Sequence, residues 1–227
     1  MASNSKSELG VGSPSERGER RGRKSIQTRT RILDATAKVL STKGYAGTHL
    51  RDVAEVAGVR ATAIYYYFDS RDALVEEVLW WGLADLRRHV RDTLDAAGPC
   101  DNRIDRIMMA VDAHLRRELE VSDYTTASIR NTAQIPEHLR TRAGKEAADY
   151  GRMWHQLIED AAHEGEIRSD MDLFVVRMLL LGSLNWAAEW HRADLVPVAT
   201  VVTSAQALIR QALTAPHAAQ QTVATLG

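Results

Sequence analysis

Cysteine is almost missing from this 227-residue chain. Cys100 stands alone, which excludes an internal disulfide and a thiolate zinc site and fits a reducing compartment. No stretch reaches the roughly 20 apolar residues that a membrane-spanning helix needs. The longest candidate, Leu173 to Ala188, is interrupted by Arg177 and Asn185. The opening MASNSKSELGVGSPSERGERR lacks the apolar centre of a secretion signal, so the expected location is the cytoplasm, with no membrane partner. Strand-like alternation of any length is also absent, and the chain is expected to be all-α. His114, His138, His155 and His163 form no HExxH-type pair, and there is neither a GxSxG elbow nor a glycine-rich phosphate loop. No catalytic set, metal site or cofactor is therefore expected.

What is present is a globular composition, 44% hydrophobic and 26% charged, in a chain long enough for one small and one larger domain. The formal net charge of −1 conceals an uneven distribution. Arg17, Arg20, Arg21, Arg23, Lys24, Arg29 and Arg31 crowd one interval against only Glu16 and Glu19. A nucleic-acid contact confined to one end of the molecule has this pattern. Residues 1–24, rich in Ser, Gly, Glu and Arg with little to bury, are expected to be a disordered basic arm.

The informative stretch is THLRDVAEVAGVRATAIYYYFDSRDAL, Thr48 to Leu74. Leu50, Val53, Ala54 and Ala57 recur at helical offsets, Thr48 is the expected cap of that helix, and Gly58 falls where it must stop and turn. Val59, Ala63, Ile64 and Phe68 then form a second short apolar pattern, so a helix-turn-helix is expected. Arg60, Ala61, Thr62, Tyr65, Tyr66 and Tyr67 lie off its apolar face. Small residues admit a groove, Thr and Tyr reach base edges and phosphates, and Arg forks onto guanine or phosphate. Arg71 begins a long helix, where a cation opposes the helix dipole unless both share an anion such as DNA phosphate.

The motif resembles the DNA-binding signature of the TetR family of bacterial transcriptional regulators over roughly residues 26 to 80. Arg60 stands where that family usually caps its reading helix with Ser or Thr, and Arg71 replaces the usual Lys. The resemblance implies a homodimer, a double-stranded DNA operator and a small-molecule effector. Its implied DNA contacts are Thr48, Arg60, Ala61, Thr62, Tyr65, Tyr66, Tyr67 and Arg71.

The expected architecture is a helix-turn-helix head over residues 25–71, a ligand-binding and dimerisation domain over 72–215, and a flexible tail over 216–227. Ser70 to Ala97 reads as one rigid helix carrying Leu74, Val78, Trp81, Leu86, Val90 and Leu94. Further on, large adaptable side chains are interspersed with polar ones. Trp81, Met108, His114, Arg130, Tyr150, Trp154 and Trp186 are the expected ligand contacts, with ordinary core packing as the competing explanation. The last two helices are apolar on more than one side and therefore need a second neighbour. Leu180, Gly182, Leu184, Val202, Ala205 and Ile209 are the expected dimer contacts. Residues 157–192 resemble, loosely, TetR regulators of acyl-CoA, fatty-acid or steroid catabolism. Activation in place of repression, a corepressor in place of an inducer, and a helical ligand carrier or enzyme without DNA binding are the alternatives.

Overall fold

The structure is a computed structural model describing residues 14–98, 102–121, 123–131 and 134–214, with side chains from residue 22 onward, Val121 excepted. Among these residues every regular element is helical. The order is α1 (Pro14–Gly47), α2 (Leu50–Ala57), α3 (Ala61–Ile64), α4 (Arg71–Ala96), α5 (Arg103–Arg116), a π-helical turn (Arg117–Val121), α6 (Asp123–Asn131), a 3₁₀ turn (Glu137–Leu139), α7 (Thr141–His163), α8 (Leu173–Trp190) and α9 (Val198–Leu213).

The start of α1 corrects one expectation. Residues 14–24, read as part of a disordered arm, continue the helix back to Pro14. The Glu, Arg and Lys that made this segment look unfoldable are also good helix formers, and Pro is tolerated in a first turn. Residues 1–13, the tail from 215 and Cys100 lie outside the described residues. The far end of α1 is broken at Gly44, whose φ of 70° and ψ of 175° no helix contains. After Pro136 the chain makes only the 3₁₀ turn before α7 begins at Thr141.

Two buried clusters hold the chain together. In the first, Ile32, Leu40, Val53, Ile64 and Phe68 of the head pack with Leu74, Val78, Leu79 and Leu83 of α4 and Ala127 of α6. In the second, Leu86, Val90 and Leu94 from the far half of α4 join α5, α7, α8 and α9. The expected boundary between residues 71 and 72 is thus not a break in packing, because α4 belongs to both cores. Ser70 caps α4 with its Oγ accepting from the Ala73 N–H at 3.0 Å.

Helix α6 lies against α4 at Gly82. A Cβ there would stand 2.2 Å from both Ser128 Oγ and the Tyr124 carbonyl oxygen, closer than packed atoms approach. The Tyr124 neighbour is backbone, so rotating the Ser128 side chain away cannot by itself relieve the clash. Gly82→Ala is expected to lower stability by about 1–3 kcal/mol through overpacking, read as a drop in urea midpoint at unchanged slope.

Candidate nucleic-acid interface and sensor core

The turn between α2 and α3 is built by Gly58, whose φ of 62° and ψ of 40° are left-handed. Its N–H donates to the Glu55 carbonyl, and the Val59 N–H donates to Ala54 at 2.9 Å. Arg31 of α1 reaches across to donate to the Ala57 carbonyl, fixing this turn to the first helix. After one turn of α3, the Tyr67 and Phe68 amides both donate to Ile64. Ile64 and Phe68 are buried, so one side of this segment is committed to the head core.

The opposite side is not used by the fold. Arg60, Ala61 and Thr62 are exposed, as are Tyr65 at 61% and Tyr66 at 79%. Tyr67 turns inward against the first core and meets Tyr66 edge-on, with ring centroids 5.0 Å apart. Of the three consecutive tyrosines, two therefore face outward and one braces them.

Two expected contacts are relocated. Thr48 is only 1% exposed, and its hydroxyl donates to the Gly44 carbonyl at 2.7 Å. It does not cap α2 either, since the N-cap position belongs to His49, which makes no side-chain capping bond. Arg71 is not a free cation awaiting phosphate. Its guanidinium donates to the Thr48 carbonyl at 2.7 Å, to the Tyr45 carbonyl and to Asp72 at 3.2 Å, and it lies 4.2 Å over the Tyr45 ring. Both residues tie the α1–α2 junction to α4. The resemblance implied contact surface at both positions because a position beside a reading helix also sits beside the loops that support it.

In the body, four of the seven expected ligand contacts lie in one core, and three of these, His114, Tyr150 and Trp154, touch one another. Met108, His114, Tyr150 and Trp154 are buried in the second core. His114 Nδ1 and the Tyr150 hydroxyl are 2.7 Å apart, the two rings stack, and Trp154 stands edge-on to both. Burial pushes the Tyr150 hydroxyl well above its ordinary range, so it stays protonated. Sequence reading missed the fifth member, Glu118, in the π-helical turn, with Oε2 3.3 Å from His114 Nε2. The i,i+4 spacing from His114 to Glu118 along an apolar face was the available signal. Glu118 is buried and its carboxyl is pushed up by burial, against the opposing pull of His114. Its two oxygens, His114 Nε2 and Trp154 Nε1 have no well-formed hydrogen bond, an uncommon concentration of unsatisfied polar atoms.

Trp81, Arg130 and Trp186 do not join this cluster. Trp81 is exposed on α4 and borders a separate cleft with Asp34, Asp85 and Arg117. Arg130 bonds Glu189 and the Ser41 carbonyl. Trp186 is 62% exposed on the outside of α8. Helical spacing places residues on a face but does not say which face looks inward.

Residues 32–78 match the family described as bacterial regulatory proteins, tetR family, and residues 100–194 match the tetracyclin repressor-like C-terminal domain. The chain belongs to the TetR family of transcriptional regulators. The transcriptional repressor KstR2 of Rhodococcus jostii RHA1 is 26% identical over 195 residues, covering 83% of this chain and 92% of the relative. The structure of the ketosteroid transcriptional regulator KstR2 of Mycobacterium tuberculosis superposes with a TM-score of 0.70 at 20% identity, over 83% of this chain and 95% of that one. AibR, solved in complex with isovaleryl coenzyme A and operator DNA, superposes with a TM-score of 0.72 at 16% identity, over 80% and 97%.

As a TetR regulator the chain is a DNA-binding protein with a ligand-binding domain, and not an enzyme. Among the described residues no group of His, Cys, Asp or Glu is placed to hold a metal, and no helix is long and apolar enough to cross a membrane.

The residues expected at the dimer contact divide between the core and the outer face of this TetR body. Leu180, Leu184 and Val202 point into their own core. Gly182 is exposed with open space around it, and Ala205 and Ile209 are half-buried walls of a groove of about 670 Å³ between α8 and α9. The exposed large apolar residues are Phe174, Val175, Met178, Leu179, Trp186 and Trp190 on α8 and Leu208, 73% exposed, on α9. Both sides of α8 are apolar, so the sequence marked two candidate faces and only the packing of α5 and α7 chose between them.

Two outcomes follow from this geometry. Arg71→Ala should lower unfolding stability by about 1–3 kcal/mol, since it leaves two carbonyls without their charged donor, whereas Tyr66→Ala should stay within about 0.5 kcal/mol; chemical denaturation checks both. The raised carboxyl of Glu118 stabilises the fold at low pH, and that contribution is lost as pH climbs through the elevated folded-state value. The stability advantage of Glu118→Gln over the parent should therefore grow with rising pH above the ordinary glutamate range, measured by denaturation at a series of pH values. A constant difference would show that the carboxyl titrates normally.

Proposed function

We propose that this protein is a ligand-responsive transcriptional repressor that grips a palindromic operator as a homodimer in the cytoplasm and is released by a small hydrophobic effector. The observation that carries this reading is the outward face of Arg60, Ala61, Thr62, Tyr65 and Tyr66, which no part of the fold employs. These residue types suit a major groove: two small side chains allow close approach, and hydroxyl, phenol and guanidinium groups reach base edges and phosphates. Thr48, Tyr67 and Arg71 serve by holding that face rigid.

A second copy covers the apolar strip of Phe174, Val175, Met178, Leu179, Trp186 and Leu208. An apolar surface of this kind, left in water, favours self-association. Two heads then meet successive turns of the groove, ~34 Å apart. Met108, His114, Tyr150 and Trp154, with Glu118, read the effector, and the likeness to AibR and KstR2 favours an acyl-CoA-like or other lipid-derived molecule. Effector binding alters the pitch of α4, which is embedded in both cores, and so spoils the separation of the heads. Emptying the operator requires a preference for the released shape of a few kcal/mol.

Selection of bound fragments from genomic DNA should return an inverted repeat. On that site Tyr66→Ala and Thr62→Ala should each weaken binding by about 1–3 kcal/mol, roughly tenfold or more, with the dimer mass unchanged in sedimentation. Recovery of no enriched sequence, or a lone subunit that binds as tightly as the parent, contradicts the reading.

A further inference from the structure

Helix α6 touches more of the molecule than its length suggests, and its contacts converge on the break in α1. At Gly44 the backbone turns the Tyr45 amide off the helix axis. In an unbroken helix that amide would donate to the Ser41 carbonyl. Here each of the two groups is met from α6: the Tyr45 N–H donates to Asn131 Oδ1 at 2.8 Å, and the Ser41 carbonyl accepts from Arg130 Nη1 at 3.0 Å. Asn131 is 1% exposed, and its Nδ2 donates to the Leu40 carbonyl at 3.2 Å and to Ala127 in its own helix at 2.8 Å. Every hydrogen-bonding group of this side chain is engaged, two of its three bonds at the broken end of α1 and the third within α6.

Both sides of the break lead somewhere. Beyond it, Tyr45 is the residue that Arg71 grips, and its hydroxyl donates to Asp72 at 3.1 Å, so the angle at Gly44 governs how α2 and α3 leave α1. On the body side, Arg130 also pairs with Glu189 of α8. Thr126 donates to the carbonyl of Glu118 at 3.0 Å, joining α6 to the π-helical turn that carries the buried carboxyl.

We propose that Asn131, assisted by Arg130, is the positioning residue for operator recognition: α6 seated on the Gly44 break holds the reading segment at the pitch the operator requires, and effector binding unseats it through the π-helical turn. The proposal rests on the repressor reading above. It places the immediate link between body and head in α6, with α4 as the frame on which α6 is mounted.

The test compares full-length parent, Asn131→Ala and Arg130→Ala on the selected operator and on an unrelated duplex of equal length at the same salt. Asn131→Ala should weaken operator binding tenfold or more and Arg130→Ala about threefold or more, while affinity for the unrelated duplex, which reports charge alone, stays unchanged. The double variant should lose less than the product of the two, because both act on one break. A merely structural asparagine would lower the melting temperature while leaving the ratio of the two affinities where it was, and that result overturns the proposal. Should Asn131→Ala not fold, Asn131→Asp keeps the acceptor for Tyr45 and removes both donors. Arg130, partly exposed, offers a variant whose folding is not at stake, and unchanged operator affinity in it also overturns the latch. If the parent shows no preference for any operator, the repressor reading has failed; if the parent discriminates and the variants discriminate equally well, only the latch has.

Discussion

Helices α1 to α3 do not by themselves enclose enough apolar surface to stand alone, and the first half of α4 supplies what they lack. Leu74, Val78, Leu79 and Leu83 complete the head core, and three residues further Leu86 already belongs to the body. Everything else in the molecule depends on this sharing. A helix packed into two cores cannot shift in one without straining the other, because close-packed interiors answer displacement by rearranging and not by stretching. The same helix must accept α6 at its middle, where Gly82 removes the one side chain that would hold them apart. Head, frame and connector therefore meet within a few turns.

The polar groups are distributed in keeping with that arrangement. Around the head, charged side chains are spent on backbone: Arg31 on the α2 turn, Arg71 on the α1–α2 junction, Arg130 on the broken end of α1. Charge-assisted bonds to carbonyls that a loop leaves open are stronger than neutral ones, and they leave the reading face without a structural task. The body shows the reverse. His114, Glu118, Tyr150 and Trp154 are buried with several polar atoms unsatisfied, a condition that lowers stability and that apolar residues of similar size would remove. Under the proposed function this cluster is what an effector would meet, and its member Glu118 lies in the π-helical turn that ends one residue before α6 in the sequence.

The outer strip of α8 and α9 belongs to the same logic. Its large exposed residues, Phe174, Leu179, Trp186 and Leu208, belong to neither core, so the proposed second copy would cover them without entering the cluster around His114.

The helical class and the helix-turn-helix were legible in the amino-acid order, because a 3.6-residue period and a glycine at a forced left-handed turn are local facts that need no partner to be recognised, and three tyrosines in a row could not all turn inward. So was the membership of His114, Tyr150 and Trp154 in one body cluster, though Glu118 was overlooked. Local order was silent wherever two distant segments decide the outcome. That Thr48 and Arg71 turn inward, that Leu180 and Leu184 face their own core while Trp186 faces out, and that Asn131 meets Tyr45, just past the break, from 86 positions away were settled only when the helices packed. An amphipathic period tells a residue which neighbours share its face. Which face becomes the interior is fixed by the other helices that arrive to cover it.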